Sequence, residues 1–318
     1  MAEAARLISI PEAPAPAGAQ AEWFEGAGGA RLRAALFPPP GAARGGVVLS
    51  PGRTEPIEKY FETVGDLTGR GFAVLAHDWR GQGLSRRLLA DPLRGHAAGV
   101  DDFLDDYATL LDRFEARLPK PWIMLGHSMG GCLNLLSLVR GEARFAGALL
   151  SAPMLAVATG QIPTLIARGL SSLMLRLGHA ASYIGAATDP LADHFAAGTL
   201  THDRARYDRY KAQLNACPAL ALGGPTWGWL QFAFEAQARL AAPGALERVR
   251  IPVALVAAGA DRLVINAATR AAAARLADAR YVEIPGAYHE VLMETDAVRA
   301  EVWRAFDALA GQVTSPSA

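Results

Sequence analysis

The chain has 318 residues, 51% of them hydrophobic, enough to bury a large core in one α/β domain carrying an insertion or in two modest domains. Its formal net charge is zero and its pI near neutral, so bulk electrostatics draw it neither to nucleic acid nor to anionic lipid, and no nucleic-acid partner is expected. The two cysteines, Cys132 and Cys217, make no disulfide framework, and no Cys/His spacing suggests a metal cluster; a reduced, metal-free, cytoplasmic protein is the expectation.

Residues Met1 to Gly18 carry an early acid, Glu3, and three prolines, with no apolar run of the kind a signal peptide needs. Residues 1–20 are expected to form a disordered lead-in. Gly26 to Gly29 then make a turn into Arg31–Phe37, which reads as an outer strand and one arm of a hairpin. Short apolar runs at Val47–Ser50, Ala73–Ala76, Trp122–Leu125 and Gly147–Leu150 are buried strands. Ile57–Thr68 and Val100–Leu118 between them have helical spacing, and Asp101 and Asp102 sit where acids favour a helix start. This alternation implies βαβ units around a mostly parallel sheet flanked by helices. Ala146–Ala158, the longest nearly apolar stretch, is broken by Ser151 and Pro153 and is too short to cross a bilayer.

After Pro153 no convincing core strand appears until Val253–Val256, so residues 154–246 are expected to form a helical cap. A helix at Asn266–Leu276, a strand at Arg280–Ile284 and a helix at Asp296–Leu309 complete the alternation. The expected division is a core of residues 21–153 and 247–313 with the cap inserted between them.

The chemistry centres on Gly126-His127-Ser128-Met129-Gly130-Gly131, a G-x-S-x-G element after a strand and before a helical run at Cys132–Arg140. A serine at the tip of such a turn needs a strained backbone, and glycines two residues either side remove the Cβ atoms that would collide. A serine hydroxyl is a weak nucleophile at neutral pH, so a histidine must take its proton and a carboxylate must orient that histidine. Of seven histidines, His289 follows the last strand and precedes the final helix, which makes it the candidate base. His77, His96, His127, His179, His194 and His202 read as structural. Asp261 follows the strand at Val253–Val256 and is the candidate acid; the loop Ser151-Ala152-Pro153-Met154 offers no rival carboxylate. Glu283 and Glu290 read as surface charge. Oxyanion donors are expected from the N–H groups of Met129 and of Arg53, in Ser50-Pro51-Gly52-Arg53-Thr54-Glu55. The Arg53 side chain is expected in solvent, with an anionic head group as its alternative. His77-Asp78-Trp79-Arg80-Gly81-Gln82-Gly83-Leu84-Ser85 lacks the ending of a phosphate loop and reads as a turn held by an Asp and an Arg. Cys132 reads as a small core residue.

At these residues the sequence resembles the α/β-hydrolase superfamily, and within it the monoacylglycerol lipase and bacterial lysophospholipase group, sometimes grouped with serine aminopeptidases. The resemblance rests on Ser50–Glu55, Asp78–Ser85, Gly126–Gly131, Ala260–Leu263 and Gly286–His289. It implies an α/β-hydrolase fold, a triad at Ser128, Asp261 and His289, and oxyanion donors at Arg53 and Met129. Pro51-Gly52 stands where many monoacylglycerol lipases have His-Gly, which looks more like the lysophospholipase branch.

In the cap, Ile162, Leu165, Ile166, Leu170, Leu173, Met174 and Leu177 repeat at near-helical spacing, and Trp227, Trp229, Leu230, Phe232 and Phe234 form an aromatic cluster. Either these stripes pack the cap onto the core, or part of them holds an acyl chain or touches a membrane. Leu165, Met174, Trp227 and Trp229 are the candidate substrate contacts. The expected function is hydrolysis of a carboxylic ester, of a lysophospholipid or monoacylglycerol, through an acyl-Ser128 intermediate and without a cofactor. Peripheral contact with the inner membrane face would run through the cap. An aminopeptidase or other acyl-group hydrolase on the same scaffold is the alternative, and a non-catalytic binding protein a third. No sequence feature bears on the oligomeric state.

Overall fold

The computed structural model describes residues 3–192, 194–195 and 200–314. It opens with β1 (Glu3–Ala4), β2 (Gln20–Glu25) and β3 (Arg31–Phe37), then β4 (Gly45–Ser50), a 3-10 turn at Ile57–Tyr60, α1 (Phe61–Gly69) and β5 (Phe72–His77). There follow α2 (Asp101–Phe114), β6 (Trp122–His127), α3 (Met129–Arg140) and β7 (Phe145–Ser151). Between β7 and the next strand lie α4 (Thr164–Arg176), α5 (Arg204–Ala216) and α6 (Trp227–Ala241). The chain closes with β8 (Val253–Ala258), α7 (Asn266–Ala273), β9 (Ala279–Ile284) and α8 (Asp296–Thr314).

Among the described residues, nine strands join one sheet in the order β1-β2-β3-β5-β4-β6-β7-β8-β9. β2 and β3 form the hairpin that the Gly26–Gly29 turn implies, and β3 pairs antiparallel with β5, so it lies inside the sheet rather than at its edge. From β5 to β9 every pairing is parallel. A parallel sheet needs helices on both faces, which is why β4, β5, β6 and β8 are buried along their whole length. Successive side chains point to opposite faces: Val48, Met124 and Leu150 join the core under α2 and α3, while Val47, Leu49, Ile123 and Leu125 join the core under α1 and α8.

The described part of the first twenty residues is not the disordered lead-in that its prolines suggest. β1 pairs with β2 through Glu3↔Trp23 and Ala4↔Glu22, and the Ile8 N–H donates to Glu58 at 3.1 Å. The Arg6 carbonyl accepts from Arg33 Nη1 at 3.0 Å. Arg33 is fully buried against Glu58 and Asp78, both at 2.7 Å, and the lead-in satisfies one of its remaining donors. Asp78 also accepts from the Leu84 and Ile57 N–H groups, so the turn is held by its Asp through Arg33. Arg80, the arginine within it, pairs instead with Asp106 and Asp102.

Of the helices between β7 and β8, α6 contributes Phe232, Ala233, Ala236 and Leu240 to the core. On α5, Tyr210 donates to the Thr54 carbonyl at 2.6 Å and Gln213 to the Glu58 carbonyl at 2.8 Å, tying this helix to the segment after β4. Among the described residues no helix is long and apolar enough to cross a membrane.

Candidate active site

β6 ends at His127 and α3 starts at Met129, so one residue must reverse the chain; Ser128 does so at φ 49°, ψ −114°. Such a φ is rare for a residue with a Cβ and is tolerated only when its surroundings hold it. They do: Ser128 N–H donates to the Ser151 carbonyl at 2.9 Å, and its own carbonyl accepts from Cys132 and Met154 at 3.0 and 2.9 Å. A Cβ on Gly130 would lie 2.2 Å from the Ser50 carbonyl oxygen, and one on Gly126 would lie 2.8 Å from Gly131 Cα. The strand and helix can meet this closely only through glycine.

His289 lies in the turn between β9 and α8, and Asp261 follows β8. Asp261 Oδ2 accepts from His289 Nδ1 at 2.7 Å, which leaves Nε2 to accept the Ser128 hydroxyl proton at 2.9 Å. Burial raises the Asp261 pKa, but the His289 hydrogen bond and charge and the N–H groups of Leu263 and Val264, at 2.7 and 3.0 Å, outweigh it and hold the carboxyl below its ordinary range. The His289 turn has its own anchor: buried Glu294 accepts from the Tyr288 N–H at 2.9 Å and from His202 Nδ1 at 2.6 Å, and the Tyr288 and His202 rings stack 3.7 Å apart.

Met129 is the first residue of α3, so no carbonyl one turn earlier takes its N–H. In the loop after β4, Gly52 N–H donates to Glu55 at 2.6 Å and Thr54 N–H to Gln82 at 2.5 Å. The Arg53 N–H between them has no such side-chain acceptor among the described residues. Glu55 organises this loop, and sequence reasoning passed it over. It also accepts from Tyr60 at 2.5 Å and from Lys59 Nζ at 2.8 Å. Burial pushes the Glu55 pKa up, yet Lys59 and His127 bring it down to about 2. Lys59 reaches on to Glu290 at 2.6 Å, so Glu290 is a half-buried ion-pair partner on the wall of the site, not a surface charge. Neither acid lies in a periodic pattern; the only signal for Glu55 was its place in the loop.

His127 touches the site without belonging to the relay. Its Nδ1 lies 3.0 Å from Ser151 Oγ, its ring 4.9 Å from that of His289, and burial lowers its pKa to about 4, so it is neutral. His77 lies 3.3 Å from Ser50 Oγ, and His96 bonds Thr226 at 2.9 Å, both away from Ser128. Cys132 is fully buried in the core.

The geometry is that of an acyl-transfer site. The family model described as serine aminopeptidase, S33, matches residues 41–296. The chain belongs to this hydrolase family. It is 35% identical over 286 residues to lysophospholipase L2 of Escherichia coli K12, covering 85% of this chain and 82% of that protein. It is 28% identical over 276 residues to monoacylglycerol lipase of Mycolicibacterium smegmatis, covering 86% and 91%. A soluble variant of monoglyceride lipase from Saccharomyces cerevisiae, solved with a substrate analog, has the same fold at a TM-score of 0.73 and 19% identity, over 93% of this chain and 96% of that one.

In this hydrolase Ser128 and His289 open into a cavity of about 580 Å³, walled in part by residues of α4 and α6. Trp227 and Trp229 line it, together with Met154, Ile162, Leu170 and Leu230. Leu165 and Met174 do not. Leu165 is 82% exposed on the outer face of α4, and Met174 lies half-buried on the side that carries Ala167 and Ser171. Of the predicted stripe, Ile162 and Leu170 line the cavity while remaining partly exposed, and Leu165 is carried to the outer face by helix phase. The Arg53 guanidinium does not project into solvent: Nη2 donates to the Gly223 carbonyl at 2.5 Å, and the group lies over the Trp229 ring at 5.2 Å.

Proposed function

We propose that this hydrolase cleaves the carboxylic ester of a lysophospholipid or monoacylglycerol through an acyl-Ser128 intermediate. The observation that carries the reading is the Ser128–His289–Asp261 relay set in the wall of an apolar cavity. Ser128 Oγ attacks the ester carbon as His289 Nε2 takes its proton, and Asp261 stabilises the resulting imidazolium. The oxyanion accepts from the N–H groups of Arg53 and Met129. The carbon–oxygen bond breaks, His289 returns the proton to the departing alcohol, and Ser128 carries the acyl group. Water then attacks with His289 as base, releasing the fatty acid and restoring the serine. The named groups carry every proton and electron pair, and the cycle calls for no cofactor.

The names of the two curated relatives support a lipid ester over an aminoacyl amide. So does the cavity wall: its two carboxylates, Glu55 and Glu290, both face Lys59, so neither is available to an α-ammonium group. A panel of lysolipids, monoacylglycerols and aminoacyl amides, with wild type and Ser128→Ala, tests the reading. Ester turnover lost in Ser128→Ala is expected; selective amide turnover would sink it.

Residues 154–246 act in this reading as a cap that meets lipid. Leu165, Ile166, Leu173 and Leu177 on and beside α4 are 51–82% exposed, while Ile162 and Leu170 belong to both this surface and the cavity. The apolar face thus runs from outside to the acyl site. Cys132 and Cys217 are unpaired, which fits work at the inner face of a membrane. Leu165→Ser/Leu173→Ser is expected to lose sedimentation with liposomes; undiminished binding would refute the cap as the contact.

A further inference from the structure

A second cavity of about 600 Å³ lies beside the acyl cavity, and Arg53 and Thr54 line both. Its character is different. Thr188, Tyr210 and Lys211 face it, along with the backbone of Gly223 and Gly224. Of its cations, Arg206 is engaged by Glu62, Asp203 and Asp296, and Lys59 by Glu55 and Glu290. Arg53 and Lys211 have no carboxylate partner among the described residues. Lys211 bonds only the Pro190 and Leu191 carbonyls. Of the carboxylates in the lining, Glu290 is taken by Lys59, and Asp189 accepts from the Leu191 N–H.

Arg53 is the unusual member. Its Nε is buried with no hydrogen-bond partner among the described residues, and its Nη2 donates to the Gly223 carbonyl. Space for the guanidinium is made by Gly95, where a Cβ would lie 2.2 Å from Nη2. A half-buried guanidinium with no carboxylate partner among the described residues is costly, and burial lowers its pKa to about 10, so it still carries its charge at neutral pH. The planar fork matches a phosphate's oxygens. The same residue carries the N–H proposed for the oxyanion and lines both cavities, so an anion held by its side chain lies next to the ester, outside the apolar cavity.

Building on the ester-hydrolase reading, we infer that Arg53 and the second cavity receive the phosphate of a lysophospholipid head group, making the enzyme selective for phosphate-bearing over neutral monoacyl substrates. The acyl chain lies in the apolar cavity, the ester at Ser128, and the phosphate against Arg53 with Lys211 behind it.

The test compares kcat/KM for lysophosphatidylglycerol and monoacylglycerol of one medium acyl chain, both as monomers. Wild type is expected to prefer the phosphate ester. Arg53→Gln keeps the backbone N–H and removes the charge; its preference is expected to fall about 10- to 100-fold, chiefly through KM on the phosphate ester. Gly95→Ala keeps the charge but displaces it, and should move the ratio in the same direction by a smaller factor. Thermal transitions and fluorophosphonate labelling of Ser128 verify that both variants are folded. An unchanged ratio in both variants overturns the head-group site while leaving the ester-hydrolase reading intact. Turnover of neither substrate by wild type overturns both. Inorganic phosphate serves as a third arm: if it inhibits monoacylglycerol turnover while the substrate ratio stays unmoved by Arg53→Gln, the cavity takes a free anion and the inference fails.

Discussion

Replacing Glu55 with glutamine keeps the shape of the side chain and removes the charge that organises the loop after β4, which we propose holds the oxyanion. Oε2 accepts from the Gly52 N–H and the Tyr60 hydroxyl, and Oε1 from Lys59 Nζ. An amide offers one oxygen and one NH2 group, so either the Gly52 side or the Lys59 side loses its acceptor. A hydrogen bond to a charged group contributes about 1.5–3 kcal/mol, and breaking a buried ion pair costs about 3–5 kcal/mol. Lys59 still has Glu290 at 2.6 Å and is not left unpaired, so the hydrogen-bond figure applies rather than the ion-pair one, about 1.5–3 kcal/mol of stability. The kinetic cost arises because Gly52 adjoins Arg53. Loss of a whole oxyanion donor costs about 10²- to 10³-fold in kcat, and a displaced loop retains part of it, so a fall of about 10- to 100-fold is expected. The contact acts in the transition state, so KM should hardly move. Steady-state kinetics on a soluble p-nitrophenyl ester, with denaturant unfolding of both proteins, measures both quantities. A Glu55→Gln enzyme within twofold of wild type in kcat would refute the role given to this carboxylate.

Gly130→Ala would drive a Cβ into the Ser50 carbonyl, and a labelling assay with fluorophosphonate should show Ser128 unreactive or the protein unfolded. Leu170→Trp fills the acyl cavity from α4, and the preference for long over short acyl esters should fall about tenfold or more in kcat/KM comparisons. Glu62 on α1 holds Arg206 and Arg209 of the cap helix α5; burial raises its pKa, but these arginines and Arg299 bring it down from 4.5 to about 2. A depressed folded pKa stabilises above the unfolded value and loses that effect as pH falls through the folded one. Glu62→Gln should therefore melt below wild type at neutral pH, with the gap in thermal midpoint closing between pH 4.5 and about 2.

Much of the core was legible because its signals are local. Apolar runs bounded by turns mark β4 to β9, and a serine between glycines after such a run marks the reversal at Ser128. His289 and Asp261 were legible from their places after late strands, although the relay joins residues 161 and 28 positions apart. Other features needed the third dimension. The start of α3 at Met129 was hidden by its glycines, which read as a turn until packing against Ser50 explains them. The lead-in has a disordered composition but fills the donor needs of a buried Arg33, and no pattern within residues 1–20 announces that partner. Leu165 and Leu170 carry the same hydrophobic signal and face opposite ways, because periodicity fixes a stripe's spacing and not what covers it. Glu290 and the Arg53 side chain take their meaning from an ion pair, or the lack of one, with residues remote in sequence, whereas Glu55 pairs with Lys59 only four residues on and was missed because nothing in the sequence shows that the pair is buried.

The most direct measurement is to trap the acyl group. Mixing the enzyme with a long-chain p-nitrophenyl ester, quenching in acid within the first turnover and digesting should yield one peptide heavier by the acyl mass, with the modification on Ser128. His289→Ala should abolish its formation and Ser128→Ala should give none. Steady ester turnover with Ser128 unmodified, or a Ser128→Ala protein acting at the wild-type rate, would contradict the account.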